Sequence, residues 1–287
     1  MAVAAAPYVF VLLWSTGFVV ARYGTDDAGP FTFLALRLAI ASVLLAVVAL
    51  VVRAPRISWE GAKWAAVSGL GMHALYLGGV FLAISWGMPS GVSALIAGLH
   101  PVVTTVNARW LLHERLKRWQ WFGVMLGFTG VIVVVVDHLA NASAGVTLGT
   151  LICSAVSVGG MSMGTLVQRR HGSTMPLLWG TVVQYTASSL VLFVGIGTYE
   201  GFRFHVTTRS VFALLWALLV LSTAAVLIML WLLQRHAAVK VSSLFFLTPA
   251  LSTLESVLLF GEKLGALVVV GLVIALTGVS LTLRAAR

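Results

Sequence analysis

The chain has 287 residues, of which 60% are hydrophobic and only 9% charged, with a mean hydropathy of +1.04. A soluble domain carries about 25% charged residues, so most of this chain must face lipid or other apolar helices. The formal net charge of +10 reads as basic loops gathered on one side of a membrane rather than as a nucleic-acid surface. The single cysteine, Cys153, excludes an internal disulfide and argues against a Cys-based metal site.

Apolar runs bounded by Pro, Gly or charge predict ten helices, over about 7–22, 31–52, 61–84, 91–111, 119–137, 146–168, 176–197, 210–233, 239–259 and 264–283. A span needs roughly 20 residues, and only closed hydrogen-bonded structures cross lipid, so runs of this length are helices rather than barrel strands. The first run lacks a basic segment ahead of it and a cleavage site, and is expected to stay as a span. It holds Trp14 beside Ser15, Thr16 and Gly17. The second opens at Pro30 and carries Arg37, roughly 10 Å along the helix. Arg37 could attract a substrate carboxylate, or snorkel or bridge helices; the structural role is the expectation.

In the third run His73 and Tyr76 stand three apart, on one helical face continued by Val80. Polar groups at membrane depth are costly and tend to face a cavity, so this pair is expected to line a wet chamber and hydrogen-bond a substrate amine or carboxylate. The structural alternative is bonding to neighbouring helix carbonyls. His100 precedes Pro101 in the fourth run, and Pro249 interrupts the ninth. Proline frees a carbonyl one turn earlier, and interruptions at matching places in two halves point towards a binding site, so Pro101 and Pro249 are candidate hinges. Ser157 and Met161 in the sixth run and Gln184 in the seventh are candidate cavity residues. Trp179, Tyr185 and Trp216, with Trp14, can wall a flat ligand, while Trp59, Trp64, Trp86, Trp119 and Trp121 read as an interfacial belt. Glu255 is the one carboxylate well inside a span and could carry a proton.

The chain repeats itself. Pro101 and Pro249, Glu114 and Glu262, Gly123 and Gly271, and Gly130 and Gly278 are each 148 residues apart, inside runs of matching character. This is an internal duplication, with halves at 1–140 and 141–287. Glu114 and Glu262 are placed to favour the N-terminal dipole of the last helix of each half. Gly123 and Gly127 are spaced for close helix contact, in packing or in a dimer.

Counting Lys and Arg by loop places thirteen on the side that holds both termini, among them Arg53, Arg56, Arg115, Lys117, Arg118, Arg169 and Arg170. Four, Arg22, Arg203, Arg209 and Lys263, fall on the other. The basic side is expected to be cytoplasmic. Five helices per half is an odd number, so the second half is threaded upside-down relative to the first, as in many secondary transporters.

Trp14-Ser-Thr-Gly-Phe18, Pro30 leading to Leu36-Arg37-Leu38, Gly91-Val-Ser-Ala-Leu95 running into Leu99-x-Pro101, and His113-Glu-Arg-Leu116 form one set of motifs. Lys240-Val-Ser-Ser-Leu244, Leu247-x-Pro249 and Gly261-Glu-Lys-Leu264 repeat it. Over nearly its whole length the chain resembles the drug/metabolite transporter superfamily in its ten-helix EamA-type branch, and within it the bacterial aromatic amino-acid exporters. The resemblance implies an all-α membrane protein, a basket of two inverted five-helix repeats, in which four helices of each half line a central cavity and the fifth packs outside.

Rival classes find little support. Ala66-Val-Ser-Gly69 lacks the leading glycine of an intramembrane serine protease, and the seven histidines stand singly rather than in zinc-binding pairs. No mid-helix lysine suits a retinal pigment, and there is no phosphate loop. An ion pore would show rings of charge or carbonyl motifs, and the doubled, kinked helices favour alternating access over a fixed pore; a passive scaffold stays as the alternative that a flux measurement separates. The expectation is therefore a carrier, not an enzyme, that needs no cofactor or metal. It moves amino acids, aromatic or bulky neutral, and related small metabolites outward across a bacterial inner membrane by alternating access. Its partners are that substrate and the lipid bilayer; nucleic acid is not one, and a monomer is compatible with the pattern.

Overall fold

The structure, a computed structural model, describes residues 2–111, 117–140, 145–226, 228, 247–261 and 265–284. Glu114 and Glu262, expected at the starts of the last helix of each half, lie outside the described residues.

The described residues form ten helices, α1 to α10 in chain order. They are α1 Ala2–Asp27, α2 Pro30–Val51, α3 Trp59–Ser85, α4 in two half-helices Ser90–Ala97 and His100–Leu111, and α5 Arg118–Ala140. The second half gives α6 Leu148–His171, α7 Leu177–Glu200, α8 Thr208–Ala225, α9 Leu247–Phe260 and α10 Ala266–Arg284. Eight of them, α1 to α8, are long and apolar enough to cross a membrane, while α9 and α10 contribute shorter apolar helices among the described residues. No strand forms among these residues; Ala28 and Phe204 make one isolated bridge.

The two halves are inverted. On α2 and α7, Phe31 lies against Gly195 and Tyr199, whereas Ser42 meets Thr186 at 2.7 Å. One number rises as the other falls, so the two equivalent helices run antiparallel. The same holds for α5 and α10: Gly130 backs onto Gly271 and Ala275, and Gly123 and Gly127 back onto Gly278. The offset of 148 carries the Gly130–Gly271 contact onto the Gly278–Gly123 contact, the mark of a two-fold relation between the halves. A Cβ at Gly130, Gly271 or Gly278 would run into facing backbone, which is why these rungs are glycine. The Gly123 and Gly127 pair thus serves packing within the chain.

Among the described residues three helices hold π-helical stretches, with hydrogen bonds reaching one residue further than in an α-helix: Leu70–Leu75 in α3, Ile196–Glu200 at the end of α7 and Trp216–Ala225 in α8. Those of α3 and α8 stand at matching places in the two halves. In α3 the Tyr76 amide donates to Gly71 O; in α8 the Thr223 hydroxyl donates to Leu218 O at 2.9 Å. α4 breaks at Gly98 and Leu99, and Pro101 sits in the first turn of its second half-helix, where a missing amide hydrogen is tolerated. Gly98 packs directly on the Pro249 ring, so the two candidate hinges meet where α4 crosses α9.

The bundle end formed by the α1–α2 and α7–α8 connections is tied down. Glu200 accepts from the amides of Phe31 (2.8 Å) and Thr32 (2.9 Å) and from the Thr32 hydroxyl (2.6 Å), so a carboxylate of one half caps a helix of the other. Arg209 pairs with Asp26 at 2.7 Å, and Thr207 donates to Asp27 at 2.6 Å.

Candidate functional site

Between the halves lies a cavity of about 80 Å³. Trp14, Gly17 and Phe18 of α1, Arg37 and Leu38 of α2, and Tyr185 of α7 line it. The π-helical stretch of α3 and the turn after it add Met72, His73, Tyr76, Leu77, Val80 and Phe81, with Met161 of α6 and Leu221 and Val226 of the α8 region opposite. Of the residues expected from the sequence, Trp14, Arg37, His73, Tyr76 and Tyr185 meet here, together with Val80 and Met161.

A chain of polar groups runs along the wall. Gln184 donates to Gln168 at 2.8 Å and its amide oxygen lies 3.4 Å from His73 Nε2. The His73 ring stands edge-on to Tyr185 with 4.8 Å between centroids. Tyr185 Oη is 3.5 Å from Ser222 O, and Arg37 Nε donates to Ser222 Oγ at 2.9 Å. His73 and Ser222 belong to the π-helical stretches of α3 and α8, so the polar chain joins irregular parts of both halves.

Why the backbone brings them together is legible locally. Gly69 and Gly71 let α3 touch the backbone of α7 at Gln184 and of α6 at Gly160 and Gly164. Ser42 on α2 bonds Thr186, one residue past Tyr185, which holds α2 beside α7.

Arg37 does not snorkel. It is 7% exposed and forms no ion pair among the described residues. A guanidinium carries five donors and no acceptor, and a buried cation without a counter-charge is costly. The wall beside it is otherwise mostly apolar and aromatic. Such a chamber can bind a small molecule with one anionic group and an apolar body.

Four expected residues fall elsewhere: Trp216, His100, Trp179 and Glu255. Trp216 donates its indole N–H to Thr16 at 3.0 Å and lines a neighbouring groove of about 590 Å³ with Val19, Tyr23, Arg209 and Phe212. His100 hydrogen-bonds Ala97 O at 3.3 Å at the break of α4, and Trp179 is half-buried near the start of α7; neither lines the cavity. Glu255 lies 2.5 Å from Ser15, across α1 from the chamber. Met72, Leu77, Phe81 and Leu221 are additional lining residues, for which the sequence carries no signal beyond apolarity. Among the described residues no three His, Cys, Asp or Glu side chains gather as a metal site.

An all-helical, multi-pass membrane protein of two inverted halves around a buried chamber is the architecture of a transporter. Residues 3–136 and 147–284 each match the EamA-like transporter family, and the chain belongs to that family. It is 26% identical over 276 residues to an uncharacterized transporter of Bacillus subtilis strain 168, covering 94% of this chain and 88% of the relative. It is 25% identical over 280 residues to a protein of Escherichia coli K12 named "Probable amino-acid metabolite efflux pump", covering 93% and 90%. A solved crystal structure superposes with a TM-score of 0.68 at 20% identity, over 96% of this chain and 94% of the other, a likeness of fold.

Proposed function

We propose that the protein exports amino acids, aromatic or other bulky neutral ones, and related small metabolites across a bacterial inner membrane, with both termini cytoplasmic. The observation that carries this reading is Arg37, buried without a counter-charge among the described residues beside an aromatic-walled cavity. Arg37 holds the substrate carboxylate. His73, Tyr76 and Gln184 hydrogen-bond the amino end, and Trp14, Phe18, Phe81 and Tyr185 flank the side chain. The efflux pump of Escherichia coli, similar over nearly the full length, supports a metabolite exporter. A wall that is mostly apolar favours, as a second reading, export of other metabolites or drugs.

The cavity volume bears on mechanism. The cavity is small, about 80 Å³, and separation of the helices that wall it widens it for substrate. The break of α4, its contact with Pro249 and the π-helical stretches of α3 and α8 are where the chain can bend. Alternating access around Pro101 and Pro249 opens the chamber to one side and then the other, bringing His100, Trp179 and Trp216 within reach of the substrate path.

Purified protein in proteoliposomes loaded with labelled phenylalanine tests this, with a panel of amino acids, metabolites and drugs as competitors. Saturable flux with counterflow is expected. His73→Ala and Tyr76→Ala should each lower flux at subsaturating substrate about tenfold, the loss of a buried hydrogen bond. Full flux and unchanged preference in both variants would remove them from the site, and no flux of any compound would leave a scaffold.

A further inference from the structure

We propose that Glu255 is a proton-carrying site that couples export to the proton gradient, acting on the cavity through α1. The inference rests on the exporter reading above. α9 seats Glu255 against Ser15, which lies roughly 14 Å along the helix axis from Ala6, near the middle of the apolar stretch Ala6–Asp27. The carboxylate is thus held at membrane depth, where an ionisable group marks a functional site by default.

The hydrogen-bond arithmetic favours a bound proton. Glu255 Oε1 is 2.5 Å from Ser15 Oγ, and Ser15 Oγ is 2.9 Å from Leu12 O. Glu255 Oε2 is buried and has no hydrogen-bond partner among the described residues. A serine hydroxyl has one proton to donate. If Glu255 is ionised, that proton reaches the carboxylate or the Leu12 carbonyl but not both, and Oε2 is a desolvated charged oxygen. If Glu255 carries a proton on Oε1, the carboxyl donates to Ser15 Oγ, Ser15 donates to Leu12 O, and both close contacts are hydrogen bonds.

No neighbouring charge among the described residues offsets an ionised Glu255. Arg22 and Tyr23 of α1 lie against the Phe260 ring, at 4.8 and 5.2 Å, more than a turn further along α9. Tyr8, two turns before Ser15, is 67% exposed. α4 meets α9 through Ser90, 2.8 Å from Ser256, and through Gly98 on Pro249; Ser90–Ala97 has no ionisable side chain, and His100 beyond it bonds its own helix.

α1 connects this site to the chamber. It presents Ser15 to Glu255, and Trp14, Gly17 and Phe18 to the cavity, while Ser252 donates to Ser15 O at 2.9 Å. Loss of the proton forces Ser15 to choose between Glu255 and Leu12, so the protonation state biases the position of the helix that walls the cavity. One proton taken up on the outer side and released within exchanges for one zwitterionic substrate moving out, with one positive charge carried inward.

Two measurements test this on the full chain. In proteoliposomes loaded with labelled phenylalanine, acid on the exit side should raise wild-type efflux several-fold, whereas Glu255→Gln should move phenylalanine at one rate with or without the gradient. Independently of transport, infrared difference spectra between high and low pH should show a carboxylic-acid C=O band that Glu255→Gln removes. A wild-type flux indifferent to the gradient, or a gradient response kept by Glu255→Gln, overturns the coupling while leaving export intact. Absence of phenylalanine flux counts against the exporter reading instead, and the infrared band then decides on Glu255: a band unchanged by the substitution overturns the assignment.

Discussion

The contact of α4 with α6 and that of α9 with α1 occupy matching places in the two halves. At the first, Asn107 donates to Ser162 at 2.9 Å; at the second, Glu255 stands 2.5 Å from Ser15. Asn107 and Glu255 are 148 residues apart, the spacing of the whole duplication. A neutral amide is enough to join two helices at this place, so packing alone does not call for a carboxyl. The π-helical stretches of α3 and α8 differ in the same way: the first carries His73, with Tyr76 immediately after the stretch, and the residues 148 further on are Leu221 and Ala224. The duplicated scaffold supplies the shape, and the chemistry sits where the copies differ.

That contrast can be broken, starting with what the halves share. Gly130→Val and Gly278→Val place side chains against facing backbone and should each destabilise by on the order of 3 kcal/mol. This lowers the thermal midpoint in detergent by roughly 8 °C, by similar amounts in the two variants. A marked inequality between them would refute an evenly shared seam. In the cavity, Arg37→Gln should raise the half-saturating phenylalanine concentration about 100-fold, as expected for truncating a buried charge partner. Tyr185→Phe, which loses only a hydroxyl, should cost about fivefold. Equal effects would mean that Arg37 braces helices rather than holding a carboxylate. The smallest effect is expected at Asn107→Ala, about 1 kcal/mol or roughly 3 °C, with the response to a proton gradient unchanged. A lost response there would put the coupling in the symmetric scaffold rather than in Glu255.

Proline and glycine made much of this fold legible. Pro101, Pro249, Gly123, Gly130, Gly271 and Gly278 announce the duplication because each answers a backbone need that no side chain meets. Apolar runs place most of the spans to within a few residues, although the first helix extends to Ala2–Asp27; the expected end of the eighth span and start of the ninth lie outside the described residues. The π-helical stretches left no such mark: Leu-Gly-Met-His-Ala-Leu reads as ordinary helix, and its widening comes from contact with α6 and α7. Direction was the harder matter. Helices apolar on every side show no inward face, so Trp179 and Trp216 could not be told from Trp14, nor Met72 and Phe81 from lipid-facing neighbours. Arg37 was expected to play a structural part, and its place on the cavity is set by how α2 lies along α7.

The glycine seam between α5 and α10 has one more consequence. Each helix offers the other the same surface, so the join is of the isologous kind by which identical subunits pair. Two separate five-helix polypeptides could meet through it, provided one lay in the bilayer facing up and the other facing down. Running both copies in a single polypeptide guarantees one of each orientation in every molecule, and leaves each copy free to acquire residues the other lacks.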